Sequence, residues 1–498
     1  MPSNNNTNGN SGIINKRVTR RDALRAVGGA AVATIGVTGT VAAQTDTTSL
    51  DGSGTQDDPY VIDSVEGLDA VREDLTAHYR LAADIDVSTI DNWDPIGEYD
   101  SAADTYTGLT GALDGAGYTV NGLTIERPES EGAALFAYVH DGGEIRDVTL
   151  SNADVEGLDY AGAAAGYAWE ANINNVTLEN VTVTGREQVG GLAGEVTDTD
   201  IQTVCATGVT ITPNDTHAGD HGGIVGALND TSSTLRDAFI DATIEPQDGV
   251  DGASIVGGAA GRVGGLIDTV QTDVTVTGES KVGGIAGTHD GTMEHVSSVG
   301  AVEGTSWVGG IAGRTKVTGD ESRISDAYSW CDVTGGGDVG GVTGIAANVA
   351  IERAYHAAGT VADDENIGGA VGSVGSSPVT LSGLYFEEGA VSGDPNDGDL
   401  AGVTSVSTDA LTGTDAASTL SAFDFGSVWE TVSGDYPVLS STPSRSCAPV
   451  EETTTTTEDA PSAGAVASSN QSPLRFLPWG AALLVLLGMI NDKDGDEQ

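Results

Sequence analysis

A five-residue signature, Gly-Gly-x-x-Gly with an aliphatic residue or Ala in third place, begins at Gly190, Gly222, Gly257, Gly283, Gly309, Gly340 and Gly368. A degenerate copy begins at Gly162, where Ala163 replaces the second Gly, and a weaker one is Ala133-Ala134-Leu135-Phe136-Ala137. A second column keeps step with it: an apolar residue, two mostly polar ones, then another apolar residue. It runs through Ile145/Val148, Ile173/Val176, Ile201/Val204, Leu235/Ala238, Ile267/Val270, Met293/Val296, Ile324/Ala327, Ile351/Ala354 and Leu381/Leu384. From Ile145 to Leu381 the eight intervals average 29.5 residues and range from 26 to 34. Self-similarity at this period means stacked units, each unable to bury its apolar face alone.

Side-chain parity sets the type of unit. Within one repeat Val176 and Leu178 share one parity, Val181 and Val183 the other, and Leu192, Gly194 and Val196 return to the first. Alternate strand residues face opposite sides, so three short strands separated by odd-length corners all face one interior. Helical repeats would need about ten consecutive residues at 3.6 periodicity, which this stretch lacks. The expected fold is all-β, a three-sided parallel β-solenoid of about nine coils. At about 4.8 Å per coil it is roughly 40 Å long and needs a cap at each open end. The paired glycines (Gly190 and Gly191, Gly222 and Gly223, Gly283 and Gly284, Gly309 and Gly310) are expected at a corner that β-carbons would crowd or that needs positive φ. The third glycine, Gly194, with Gly226, Gly287 and Gly313 at the same place, is expected to face inward and leave room for larger side chains of another wall.

Charge limits the partners. Among 498 residues, 74 Asp and Glu face 20 Lys and Arg, a formal net charge of -54. Coulomb repulsion disfavours nucleic acid and anionic membrane surfaces. Compact, strongly hydrated carboxylates in place of lysine suit molar salt, where a Debye length of about 3 Å screens self-repulsion. The three cysteines fit no metal-ligand spacing and cannot form a complete disulfide framework. Cys205 and Cys331 read as buried small hydrophobes within strands, and Cys447 as free or cross-linked in an exposed linker.

The ends read as targeting segments. Arg20 and Arg21, followed by an apolar small-residue run from Ala26 to Ala43, resemble a twin-arginine export signal, with Val41-Ala42-Ala43 as the cleavage site. Such systems carry folded cargo, which suits a chain that must fold in salt before export. The expected plan is a signal peptide over 1–43, an N-terminal cap and entry coils over 44–130, and a solenoid over 131–385. A C-terminal cap over 386–440, a Thr/Ser/acid-rich stalk over 441–473, a hydrophobic segment over 474–490 and an acidic tail over 491–498 complete it. The hydrophobic segment reads as a membrane anchor. In the N-terminal cap Ser64 to Leu75 is expected to be helical, with Ser64 as N-cap. Towards the other end, a helix within Thr408 to Leu420 and a strand pair within Val428 to Leu439 are expected.

The copies Val-Gly-Gly-Leu-Ala-Gly at Val189 and Val-Gly-Gly-Ile-Ala-Gly at Val282 and Val308 resemble the GLUG repeat family over about residues 130 to 385. Upstream, Asp51-Gly52-Ser53-Gly54-Thr55, Trp93-Asp94-Pro95-Ile96-Gly97 and Leu113-Asp114-Gly115-Ala116-Gly117 are similar to the entry region of such proteins. The resemblance implies a right-handed solenoid that is secreted or surface-attached, as in a haloarchaeon, and often adhesin-like. It implies display by adhesion, surface-layer association or glycan binding, with an extracellular glycan or cell-surface protein as partner. The alternative is a carbohydrate-active enzyme, either polysaccharide lyase or glycoside hydrolase, on the same scaffold.

No catalytic motif stands out. Glycosidases use two carboxyl groups with divergent pKa values about 5 to 10 Å apart, but with so many acids a close pair such as Asp57/Asp58 or Asp363/Asp364 carries little information. His217 and His221 lie four apart in what reads as a Gly-rich loop, and no His-Glu-x-x-His occurs. No cofactor is expected. Calcium is a weak option at Asp394, Asn396, Asp397 and Asp399, whose spacing reads better as a turn. Asn175, Asn180, Asn214, Asn229 and Asn470 begin Asn-x-Ser/Thr acceptors. Trp169, Trp307, Tyr328, Trp330 and Tyr355 offer ring faces to sugars but are expected to pack in cores or corners.

Overall fold

A computed structural model describes residues 50–441 and 443, apart from 216–218, 248–249, 251–252, 316–321, 363–365, 376–377, 393–394 and 396. Arg20, Arg21, Ala43, the stalk, the hydrophobic segment and tail, Cys447, His217, Asp394, Asn396, Asn470 and the Asp363/Asp364 pair lie outside the described residues. Among those described, no helix is long and apolar enough to cross a membrane.

The chain winds as a parallel β-solenoid of about nine coils, with strands stacked in three parallel sheets of nineteen, eight and nine strands. In one coil Asn172–Glu179 and Thr182–Gly185 belong to the nineteen-stranded long wall, Glu187–Gly190 to the eight-stranded narrow wall, and Ala193–Thr197 to the nine-stranded return wall. Parity therefore located the corners but divided the walls differently. The strands expected on two sides share one bent sheet, continuous as Asp200–Pro213 in the next coil, and the narrow wall is a separate strand. Val189 and Gly190 are the buried residues of that strand, leaving it too short for an alternating pattern.

In the apolar column register is kept residue for residue, and the long wall shifts by one residue between Ala206 and Val209. Ile145, Ile173, Ile201, Leu235, Ile267, Met293, Ile324 and Ile351 form one ladder and are all buried. The spacing between the two apolar positions of that column has a backbone cause. Residues three apart point to opposite faces of a regular strand, yet here both point inward, because the residue before the second is left-handed. Asp147, Asn175, Thr203, Asp237, Thr269, His295, Asp326 and Arg353 all have φ between 52° and 57°. Asn or Asp takes that conformation readily, whereas Thr203 and Thr269 are β-branched residues held there by the stack. Across the kink, Asn175 Nδ2 donates to Asp147 Oδ1 at 2.7 Å and Arg353 pairs with Asp326 at 2.7 Å.

The glycines serve close approach, since none of the twelve signature glycines has positive φ. A Cβ on Gly191 would fall on the Gly223 carbonyl of the next coil, and one on Gly310 on Ser329 Oγ and the Gly341 carbonyl. The second glycine of each pair thus makes room for the facing long-wall side chain. Gly194 does something else: its Cβ would lie 2.6 Å from Gln188 O and from the Tyr160 backbone, so it lets the return wall press against the narrow wall. It makes room for neighbouring backbone, and not, as expected, for larger side chains of another wall.

At the first end Ser64 Oγ accepts from Gly67 N, and an α-helix over Val65–Asp69 continues as a 3-10 turn over Ala70–Glu73, burying Leu68 and Val71. Tyr60–Ile62, His78–Leu81 and Ala112–Asp114 stack on the repeats in the same ladder. At the other end Asp397, in the segment that reads better as a turn than as a calcium site, is fully buried. Its Oδ1 accepts from Gly369 N at 2.9 Å, and its Oδ2 from Ala370 N and Val371 N at 2.7 and 2.8 Å. One coil earlier Val342 N and Thr343 N donate to Ala370 O. The carboxylate thus replaces the carbonyls of a coil that is not there, and its oxygens are committed to backbone donors.

The closing segment folds as two short helices, Thr408–Leu411 and Asp415–Thr419, and an antiparallel pair, Trp429–Glu430 with Val438–Leu439. It buries its apolar side on the outer flank of the long wall rather than over the last coil alone. Tyr328, Tyr355 and Tyr385 stack there in register under Leu411, Leu420, Phe423, Trp429 and Leu439. Tyr355 Oη donates to Pro437 O at 2.5 Å and Trp429 Nε1 to Asp326 Oδ1 at 2.9 Å. Cys205 is half-buried on the outer side of its strand and disulfide-bonded, correcting its reading as a core hydrophobe, while Cys331 is a buried free thiol.

Candidate functional site

The return wall turns alternate residues outward, and because register never slips these form a row along the solenoid axis. It runs Tyr138, Tyr167, Glu195, Ala227, Arg262, Thr288 and Arg314, one residue per coil. The narrow wall lies beside it and presents its left-handed residues, among them Tyr160, Gln188, Lys281 and Trp307, with φ of 49° to 55°. A left-handed residue in a strand swings its side chain off the regular alternation, which is how such large groups reach the surface while the neighbouring Val points inward.

The first part of the row is aromatic. The hairpin Glu98–Asp100 with Thr105–Thr107 lays Tyr106 over it, 4.9 Å from Tyr138 and 5.3 Å from Trp169 between ring centroids. Tyr99 stacks on Tyr106 at 4.5 Å, Tyr167 lies 5.0 Å from Trp169 and 5.7 Å from Tyr160, and the His140 ring is parallel to Trp169 at 4.3 Å. Tyr99 and Tyr106 are 39% and 43% exposed, so ring faces meet solvent here.

The middle is acidic and then cationic. Glu195 accepts from Asn229 Nδ2 at 2.8 Å, and burial raises its carboxyl above the usual range against that hydrogen bond. Asp220 is buried and pairs with Arg262 at 3.1 Å; burial pushes this carboxyl up while Arg262 pulls it down. Beyond it, the Lys281 ammonium lies 5.5 Å and the Arg314 guanidinium 4.9 Å from the Trp307 ring. Desolvation, and then the Arg314 charge, lower the Lys281 pKa.

Sequence-expected residues divide across the molecule. Trp169 lies on the return wall two residues beyond Tyr167 and Trp307 on the narrow wall beside the row, whereas Tyr328 and Tyr355 are buried under the closing segment and Trp330 is half-buried there, donating from Nε1 to Tyr355 Oη at 3.1 Å. His221 is not in a loop: it lies in the strand Asp220–Gly222, between Val189 and Val256 in a core ladder. Its full burial lowers its pKa to about 3. Among the described residues no group of three His, Cys, Asp or Glu is placed to hold a metal ion. Tyr99, Tyr106, Tyr138, Tyr160 and Tyr167 were missed, although Tyr138 and Tyr167, like His140 and Trp169, recur at the repeat interval.

The fold and the row define a parallel β-solenoid with an open, ring-lined strip along one flank. Stretches of the chain are similar to two known proteins. It is 39% identical to halomucin of Haloquadratum walsbyi over 123 residues, 23% of this chain and 1% of halomucin. It is 31% identical over 107 residues, 20% of this chain, to a protein of Evansella cellulosilytica provisionally named a Gly-rich membrane protein, 12% of which is covered. The matches thus span a small part of either relative. A crystal structure from Bacteroides ovatus, provisionally titled an immunoglobulin A1 protease, aligns over 80% of this chain and 97% of its own at 18% identity, with a TM-score of 0.34. No protein-family model matches the chain.

Proposed function

We propose that this protein is exported and attached to the cell surface, where its solenoid displays a glycan-binding flank in high salt. The observation that carries the reading is the ring cluster on the return wall, where the exposed Tyr99 and Tyr106 lie over half-buried Tyr160, Tyr167 and Trp169. Pyranose C–H faces stack on Tyr and Trp, and Glu195 and Asn229 supply polar groups beside them. The names of the two partial relatives, a halomucin and a membrane protein, support a location at the surface. The twin-arginine signal, the C-terminal anchor, the kinship to GLUG repeats and the right-handed winding belong to the same proposal.

A carbohydrate-active enzyme is the second reading, favoured by Glu195 and Asp220, neighbouring carboxyl groups that burial raises beside Tyr160, Tyr167 and Arg262. A glycan array read beside reducing-sugar release, both in concentrated KCl, separates the two. Display predicts binding without turnover, with Tyr106→Ala/Trp169→Ala weakening it about fivefold or more, as loss of about 1–3 kcal/mol of ring stacking requires. Turnover that Glu195→Gln abolishes would replace display by catalysis.

A further inference from the structure

Every described Arg other than Arg314 has a carboxylate within ion-pair distance: Arg72, Arg80, Arg127, Arg146, Arg186, Arg236, Arg262, Arg323 and Arg353. Arg314 and Lys281, the one described Lys, have none, in a chain with 74 acids to choose from. They share the Trp307 ring instead, two like charges held within 5.5 Å of one centroid. Arg262, anchored by Asp220 at 3.1 Å, adds a third cation two coil steps before Arg314 in the same outward row. Mutual repulsion opposes this grouping, and at Lys281 the Asp220 and Glu279 carboxylates offset it only from beyond ion-pair distance. It also lies in line with the ring platform. From Tyr167 to Arg314 is five coil steps, about 24 Å at about 4.8 Å each, a step close to the length of one sugar ring.

We propose, resting on the glycan reading above, that the strip takes an acidic polysaccharide, its rings lying on the Tyr106, Trp169 and Tyr167 platform and a carboxylate or sulfate seated on Lys281 and Arg314 against Trp307. The planar guanidinium forks onto either anion and the indole face holds the adjoining sugar ring. In molar salt, where the Debye length falls to about 3 Å, such contact pairs persist while long-range attraction does not, so the strip selects an anion at one place despite the net charge of -54.

The test is calorimetric titration of the full chain in 2.5 M KCl with four saccharide probes: oligogalacturonate, dextran sulfate, and the neutral maltohexaose and dextran. Polyglutamate serves as a polypeptide control. Wild type is expected to bind at least one acidic saccharide tenfold or more tighter than its neutral counterpart, and which one distinguishes carboxylate from sulfate. Lys281→Gln/Arg314→Gln, with an unchanged melting temperature, erases that preference and leaves neutral binding as it was. Trp307→Phe retains the preference because it keeps a ring under both cations. Equal affinity for acidic and neutral saccharides, or a preference that survives the double substitution, overturns acidic recognition while glycan binding stands. Polyglutamate bound as tightly as the acidic saccharides overturns it in favour of a protein partner. Silence from every saccharide overturns both readings.

Discussion

Three buried histidines show how much a single side chain sets the working range of this fold. His221, His289 and His356 all face the interior, and burial lowers their pKa values to about 3, 4 and 4. Each is neutral in the folded state down to those values, whereas the unfolded chain takes the proton near 6.5. The unfolded state therefore binds more protons below that point. Their contribution is fully present above about pH 6.5 and is lost as the pH falls from there towards 4, on the order of 3 kcal/mol for His356. His356 stands in register with Phe386 of the next coil, and both face a corner glycine. His356→Phe should therefore fold, and melting temperatures between pH 7 and 4.5 should fall less steeply for it than for wild type. The same steepness in both would assign the acid sensitivity elsewhere.

At the scale of strands and corners, the glycine pairs separate two uses of the same residue. Gly310 sits where a Cβ would meet Ser329 Oγ and a carbonyl of the next coil, while Gly337 has nothing within 4 Å of that position and no positive φ. Gly310→Ala is expected to destabilise by about 2 kcal/mol or more as backbone shifts, and Gly337→Ala to be neutral or slightly stabilising. Thermal unfolding of the two variants checks this contrast. These corners also mark what the sequence could reveal. The Ile-x-x-Val spacing and the glycine signature were legible, because burial on one face and crowding at one corner leave periodic residues. The left-handed residue within the spacing was not, since Asp, Asn, Thr, His and Arg all occupy it and share no composition. The narrow wall was invisible for a related reason: a strand with one inward Val has no alternation to read. The ring platform was half legible: Trp169 and Trp307 stand out as rare large rings, whereas outward tyrosines are under no burial or crowding constraint and leave only the Tyr138/Tyr167 interval as a trace.

For the molecule as a whole, the charge distribution and the strip make separate demands on salt. A net charge of -54 loads the folded chain with self-repulsion that dilute buffer leaves unscreened. The melting temperature should rise steadily from 0.1 to 3 M KCl, and a flat profile would show that packing alone carries the fold. The outer-flank cluster gives a second test at this scale. Trp429→Ala removes the ring that closes over Tyr355 at 5.9 Å together with its hydrogen bond to Asp326. About 3–5 kcal/mol of local stability is at stake there. Amide exchange is expected to accelerate over residues 408–439 and over the outer face of Tyr355, while the signature corners of the middle coils keep their protection.

Asp397 finally decides where the winding stops. A lone side chain supplies the acceptors that another turn of backbone would have offered, so the terminus holds no information about how many turns precede it. Lengthening such a molecule is then a matter of duplicating an internal segment, with the plug carried along unchanged. Reach is thereby adjustable by gene duplication, independently of how either extremity is sealed.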